Sequence, residues 1–305
     1  MKRPTMIAFS PKSSSKYNSR SISFPARSHP STQRVEEELN KLKASQETSS
    51  SKAETICFGL SGLKELYSCI EELLNLPSTR QALAAQDQNE KLVNDLLDSS
   101  LRYLDVCSKI RDDVLAMKES VRELQSALRR RKVGDSNIES DVASYFSFRK
   151  KMKKEIGQSL TSLKQIESKY GTFPLDLDTH LSAVVRVLRE SSFISGTIFR
   201  SFFLFLSTPL LKPKQSKWSL VSMMVHKGIV CEEQKSMNEL ESVDVALSNL
   251  SLQNSSEDGQ DEKFESAQKK LEALDFGIEG LENGLESLFR LLIHNRVALL
   301  NILSH

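Results

Sequence analysis

The sequence predicts an all-α fold, an elongated antiparallel helical bundle with long coiled-coil-like helices and a disordered N-terminal tail. A run of positions near the C-terminus alternates spacings of three and four residues, and eleven of its twelve residues are apolar. A second run with the same spacing extends from residue 93 to residue 128. No segment of convincing length shows the apolar–polar alternation that is typical of a half-buried β-strand.

The C-terminal run predicts a helix that must pack along other helices, because only a helix brings these positions onto one face. Its candidate interaction seam consists of Leu281, Leu285, Leu288, Leu292, Asn295 and Leu299. An Asn at a core position can select register or partner, and the Gly280–Gly284 pair permits close helix approach. Two interpretations stay open: core packing against the fourth or fifth helix, or a surface for self-association or a partner.

Capping residues and helix breakers define the other helices. Ser31 or Thr32 can cap the first helix. The later helices are predicted at about 52–75, 78–86, from the 93–128 stripe to a turn at Gly134–Asp135, 136–169, 178–206 and 218–252. Five further leucines widen the 93–128 stripe and predict burial within a bundle: Leu92, Leu97, Leu101, Leu104 and Leu115. An acidic linker at about 253–263 precedes the last helix.

Composition divides the chain into a tail, residues 1–30, and a helical-bundle domain, residues 31–305. The first 34 residues contain seven basic and no acidic side chains, whereas the remainder has a small excess of acids. The tail is rich in Ser and Pro and too poor in apolar residues to form a core. The four cysteines lie in apolar helical patterns without metal-ligand spacing, which predicts buried free thiols in a reducing compartment. They are Cys57, Cys69, Cys107 and Cys231.

Several segments together carry a family resemblance. They are Ser23–Pro30, Val35–Leu39, Leu73–Pro77, Leu96–Cys107, Met117–Arg131, Leu288–Ile293 and Arg296–Leu303. They resemble the plant BYPASS family over almost the whole chain. The resemblance implies a land-plant protein related to root and shoot development. It supplies no catalytic residues, because the family has no established enzymatic activity. The family's namesake is described as chloroplastic and as restraining a mobile root-derived signal.

One short motif lies in the tail. Arg20, Ser21, Ser23 and Pro25 form the R-S-x-S-x-P pattern that 14-3-3 proteins bind after phosphorylation of the second Ser. A phosphate adds acceptor oxygens and negative charge that an Arg cluster on the partner can bind. The same Ser-rich, acid-free residues are also typical of an organelle transit peptide. The third interpretation is that the tail has neither of these functions.

A basic cluster follows the aromatic residues Tyr145, Phe146 and Phe148. It consists of Arg149, Lys150, Lys151, Lys153 and Lys154. Three interpretations are considered: a solvated helix face, contact with an anionic membrane surface, and nucleic-acid binding. The sequence disfavours nucleic acid, because no nucleic-acid-binding motif accompanies the cluster and the body is net acidic.

The most hydrophobic segment is 193–211, which contains five Phe residues. Arg200 lies near its centre, and an arginine there costs about 2.5–3.5 kcal/mol for insertion into a bilayer. The sequence therefore favours a core helix over membrane contact and argues against a membrane span.

The sequence contains none of the common enzyme motifs, and it predicts no catalytic, cofactor-binding or metal-binding residues. The leading hypothesis is a non-enzymatic scaffold or regulator that contacts other proteins and carries a phosphorylatable tail. The alternative is a peripheral membrane protein that uses segment 193–211 and cluster 149–154. The expected location is the cytoplasm, with the chloroplast or the membrane periphery as alternatives.

Overall fold

The computed structural model describes residues 29–46, 52–84, 87–131, 138–168, 179–208, 237–250 and 257–304. Within these ranges the chain forms helices and no strand. The helices are α1 (Pro30–Gln46), α2 (Ala53–Asn75), α3 (Pro77–Ala84), α4 (Asp87–Arg131), α5 (Ile138–Ser168), α6 (Thr179–Leu206), α7 (Glu239–Leu250) and α8 (Glu257–Leu303). The predicted all-α bundle is confirmed.

The two longest helices, α4 and α8, lie side by side and run in opposite directions. Arg296, near the end of α8, donates a hydrogen bond from Nη1 to the carbonyl oxygen of Leu97, near the start of α4. Towards the opposite end of the pair, Arg122 Nε lies 3.5 Å from Asp275 Oδ1. At 1.5 Å per residue, each helix is about 70 Å long, so this pair sets the length of the bundle.

The other flank of α8 packs against α2, and these two helices run in the same direction. A Cβ atom on Gly284 would lie 2.9 Å from Leu60 Cδ1, and one on Gly277 would lie 3.1 Å from Ala53 Cβ. The missing side chains therefore let the two backbones approach closely. The predicted close approach at Gly280 and Gly284 is confirmed, but its partner is α2 rather than the fourth or fifth helix.

On its face away from α8, α2 packs against α6 and α1. The hydroxyl oxygens of Tyr67 on α2 and Ser195 on α6 lie 3.0 Å apart. The apolar face of α1 is covered by α2 and α6, and its three core residues are Val35, Leu39 and Leu42, each at most 2% exposed. α1 is thereby an integral part of the bundle.

Two helices begin earlier than the sequence predicts. α1 begins at Pro30, where the fixed φ of proline suits a first helical position, and His29 Nδ1 accepts a hydrogen bond from the Ser31 N–H at 3.2 Å. The capping role predicted for Ser31 or Thr32 therefore belongs to His29. α8 begins at Glu257, inside the predicted linker, and the acidic composition of that linker suits the first turns of a helix because of the helix dipole.

The apolar stripe of α4 is buried, but its predicted widening is only partly right. Leu92, Leu97 and Leu104 are buried, whereas Leu101 and Leu115 are 45% and 46% exposed. These two leucines lie on the side of α4 that no other described helix covers. The predicted turn at Gly134–Asp135 and most of the predicted helix 218–252 lie outside the described residues.

The cysteines in the described part of the chain are free thiols. Cys69 and Cys107 are buried as predicted, and Cys57 is half-buried beside Gly280 of α8. Burial raises the pKa of the Cys107 thiol to about 12. Cys231 lies outside the described residues.

Candidate functional site

The candidate interaction seam on α8 lies inside the bundle. Its members are at most 5% exposed: Leu281, Leu285, Leu288, Leu292, Asn295 and Leu299. Because α2 and α4 cover this face of α8, the seam is core packing. The association-surface interpretation is corrected on this point.

Asn295 fixes the register of α8 against α2. Its side-chain nitrogen donates hydrogen bonds to the carbonyl oxygens of Tyr67 on α2 and Leu291 on its own helix, each at 2.9 Å. A buried amide that bonds to a neighbouring backbone disfavours sliding, since any shift would leave polar atoms unpaired. The predicted role of a core Asn in selecting register therefore applies to two helices of the same chain, α8 and α2.

The basic cluster does not act as one unit, because Arg149 is buried and the lysines are not. Arg149 is 1% exposed and points into the junction of α5, α6 and α7. Its Nη1 donates to the Leu206 carbonyl oxygen at 2.5 Å, and its Nη2 donates to Asp244 Oδ2 at 3.1 Å and to the Thr208 carbonyl oxygen at 3.3 Å. The prediction that Arg149 contacts an anionic surface is therefore wrong.

Asp244 is the buried acid of this junction. Its Oδ1 accepts a hydrogen bond of 2.9 Å from the Tyr145 hydroxyl, so both carboxylate oxygens have partners. Burial raises the pKa of the Asp244 carboxyl, and the adjacent Arg149 guanidinium limits that rise. Burial and the nearby Asp244 raise the pKa of the Tyr145 phenol well above its ordinary value. The three side chains form one buried polar network.

This network joins the two ends of a long connection. Arg149 binds carbonyl groups at the end of α6, where the last turn has no helical donor left for them. Asn238 caps α7 by accepting the Glu241 N–H at 2.8 Å, and its side-chain nitrogen donates to Thr208 Oγ1 at 2.7 Å. Thr208 and Asn238, which flank residues 209–236 in the sequence, therefore lie next to each other.

The exposed remainder of the cluster forms a surface on α5, here called the lysine surface: Lys150, Lys151, Lys153 and Lys154. The same helix turns its aromatic residues inward, since Tyr145 is buried and Phe146 and Phe148 pack partly buried against the core. Glu155 lies beside this surface, with Oε1 4.0 Å from Lys151 Nζ. The surface therefore offers positive charge without the stacking aromatics that nucleic-acid binding often uses.

The Phe-rich segment belongs mainly to the core. Phe199, Phe202, Phe203 and Phe205 are at most 1% exposed, and only Phe193 is open, at 63%. These four aromatic rings face other helices, so within the described part of segment 193–211 the proposed membrane contact is left to exposed side chains such as Phe193 and Leu204, the latter 52% exposed. Residues 209–211 lie outside the described residues.

The tail motif, Arg20, Ser21, Ser23 and Pro25, lies outside the described residues and stays a prediction. Among the described helices, none has both the length and the apolar character needed to cross a bilayer. Within the same part of the chain, no group of three or more His, Cys, Asp or Glu side chains is arranged to hold a metal ion.

A comparison with protein families matches residues 59–302 of the chain to the family described as Protein BPS1. The matched residues run from the second turn of α2 to the last turn of α8 and include the whole of α4, α5 and α6. No curated protein and no solved structure is significantly similar to the chain.

Proposed function

Because this chain belongs to the Protein BPS1 family, a plant protein family, we propose that it is a non-enzymatic helical regulator of root and shoot development. In this proposal the bundle works by contact with other proteins. The developmental process follows from the BYPASS resemblance. The mode of action is supported by the lysine surface, an exposed cluster of four like charges on the described bundle.

The lysine surface supports this mode of action through its rigidity and its charge. Arg149, Met152 and Ile156 anchor the opposite face of α5 in the core, so the helix presents its lysines from a fixed backbone. A surface of one sign attracts partners of the opposite sign and speeds their encounter. The expected partner therefore carries an acidic patch.

Replacement of the four lysines tests this surface. We expect Lys150, Lys151, Lys153 and Lys154, all changed to Gln, to leave the helical circular dichroism spectrum unchanged. The variant should fail to restore normal roots and shoots in plants that lack the endogenous protein. The matched control changes four exposed lysines elsewhere, Lys41, Lys64, Lys91 and Lys269, to Gln. Equal rescue by both variants would remove the lysine surface from the proposal.

The tail supplies the regulatory part of the proposal. Phosphorylation of Ser23 would create a ligand for a 14-3-3 protein, and the acid-free tail would otherwise serve as a transit peptide that directs the chain to the chloroplast. Mass spectrometry of the protein from plant tissue separates these roles. An intact tail with phosphate on Ser23 supports 14-3-3 binding in the cytoplasm, whereas a tail cleaved before α1 supports import into an organelle.

A peripheral membrane protein is the second candidate, favoured by the same four exposed lysines. Each lysine close to an anionic membrane contributes about 1 kcal/mol of attraction, which salt screens. The test is sedimentation with phosphatidylserine-containing vesicles at low and high salt. Salt-sensitive pelleting that the four-lysine variant loses would support this candidate, and the absence of pelleting at low salt would eliminate it.

A further inference from the structure

A small cavity of about 50 Å³ lies where α2, α4, α6 and α8 meet. Its lining combines leucines and isoleucine with polar side chains from all four helices: Tyr67, Ser99, Ser100, Tyr103, Ser191, Ser192 and Asn295. Neither an acidic nor a basic side chain lines it. A dry cavity of about 150 Å³ accommodates benzene, so this smaller and partly polar space suits a ligand of only a few atoms.

The amide of Asn295 gives the cavity a defined polarity. Its nitrogen donates to two carbonyl oxygens, of Tyr67 and Leu291, and an oxygen at that position would face two acceptors. The amide orientation is therefore fixed by its neighbours. The other atom, Oδ1, has no hydrogen-bond partner among the described residues, although Asn295 is only 5% exposed.

A second polar side chain of the lining lies on α6. Ser191 on α6 is 1% exposed, and its hydroxyl donates to the Val187 carbonyl oxygen at 2.7 Å. That bond uses the only hydroxyl proton and leaves the lone pairs of Oγ available as acceptors. Two residues that line the cavity, on two different helices, thus each carry an acceptor atom with unused capacity. An occupant without an O–H or N–H group would leave the Asn295 carbonyl unpaired.

We propose that this cavity is a binding site for a small neutral hydroxyl compound whose O–H donates a hydrogen bond to Asn295 Oδ1. A water molecule and a short-chain alcohol share this chemistry, and both fit the volume. Neutrality follows from the uncharged lining, because a buried ion without a countercharge is strongly disfavoured. The apolar side chains of the lining accommodate the carbon atoms of an alcohol.

Crystal structures of the full chain test the proposal, one from aqueous buffer and one from a crystal soaked in ethanol. We expect electron density within hydrogen-bond distance of Asn295 Oδ1. Density that lengthens in ethanol identifies an alcohol site, and density that stays unchanged identifies a water site. An empty cavity in both crystals would overturn the proposal.

Two variants test the role assigned to Asn295. Asn295→Leu should fold, by circular dichroism, and lose the density. Density that persists in this variant would show that the Asn295 carbonyl does not hold the ligand. Where Asn295→Leu fails to fold, Ser191→Val adds apolar volume to the cavity from α6 and leaves Asn295 unchanged. It should expel the ligand and lower the thermal midpoint, and its control is Ser201→Val, a serine with the same local bond outside the cavity. A midpoint that Ser191→Val raises would indicate an empty cavity and contradict the proposal.

Discussion

Arg149 shows that a basic residue within a charged run of the sequence can be buried in the folded protein. It heads a run of basic residues, which indicated a surface role, yet its guanidinium is buried and paired. The sequence does contain the relevant signal: Arg149 continues a three–four spacing of core positions on α5, namely Val142, Tyr145, Met152 and Ile156. Its partner Asp244 could not be predicted, because periodicity identifies a buried face but not the side chain that lies opposite.

The first prediction concerns this buried pair. Arg149→Met leaves the Asp244 carboxylate buried without its countercharge, which typically costs about 3–5 kcal/mol in the free energy of unfolding. Urea denaturation measures the change, and Lys150→Met is the matched control, expected within about 0.5 kcal/mol of the parent. The double variant Arg149→Met with Asp244→Leu should recover stability. Equal stability of Arg149→Met and the control would contradict the network.

The stability of Arg149→Met should also depend on pH, and the direction of that dependence follows from the pKa of Asp244. Burial already raises the pKa of Asp244, and removal of Arg149 takes away the group that limits that rise. A raised folded-state pKa contributes stability at low pH that is lost as pH increases through the folded-state value. The stability deficit of Arg149→Met should therefore shrink as the pH is lowered from about 7 towards 4. A constant deficit across this range would contradict the assignment.

A second residue-scale prediction concerns Cys107. Because its thiol has a pKa of about 12, almost no thiolate exists at neutral or mildly alkaline pH, and the thiolate is the reactive form. Alkylation of Cys107 by iodoacetamide should require unfolding, so the native chain should stay almost unlabelled between about pH 7 and 9, where the denatured chain reacts. Peptide mass spectrometry measures the rate, with the denatured chain as reference. Rapid labelling in the native state would contradict its burial.

At the scale of single elements, most helix ends were predictable because their causes are local. Pro77 ends α2 and begins α3, and the apolar periodicity of α4 and α8 set their extents. The misplaced starts have local causes as well, since an N-terminal Pro and a first turn rich in acids extend a helix beyond its first apolar residue. The packing role of Gly284 could be anticipated, but its partner α2 could not.

A pair of glycines yields the element-scale prediction. A Cβ on Gly284 would lie 3.2 Å from Leu60 Cβ, an atom attached to the backbone of α2, so the helices must separate to accept Gly284→Ala. We expect a loss of about 1–3 kcal/mol. On α5, Gly157 has open space around it, and Gly157→Ala should add about 0.5–1 kcal/mol through helix propensity. Thermal denaturation measures both, and changes of the same sign would contradict this packing.

At the scale of the whole molecule, the sequence predicted the fold class but not the arrangement of the helices. Heptad spacing shows that α4 and α8 each have a long apolar face. It does not show that α8 lies between α4 and α2, antiparallel to the first and parallel to the second. That choice depends on contacts between residues remote in sequence, such as Asn295 with Tyr67. The cavity beside Asn295 arises from the same arrangement of helices, so the sequence could not predict it either.

Truncation provides the whole-molecule prediction. The family match begins at residue 59 and leaves out α1, yet α1 covers apolar surface of α2 and α6. A chain that starts at residue 52 should lose on the order of 5 kcal/mol, because three buried side chains of α1 are removed from the core. A chain that starts at residue 29 retains every described contact and should match the parent. Urea midpoints distinguish the two, and equal midpoints would contradict the packing of α1.

The position of α8 in the chain affects how the protein folds during synthesis on the ribosome. Each described helix that α8 contacts precedes it in the sequence, and the Asn295–Tyr67 hydrogen bond spans 228 residues. The apolar faces of α2 and α4 therefore leave the ribosome before α8 is synthesised, and they lack this packing partner until synthesis is complete. Uncovered apolar surface on a nascent chain favours aggregation and chaperone binding. Production of this protein is thus expected to depend on chaperone supply and on slow, cool expression more than its finished, well-packed core would suggest.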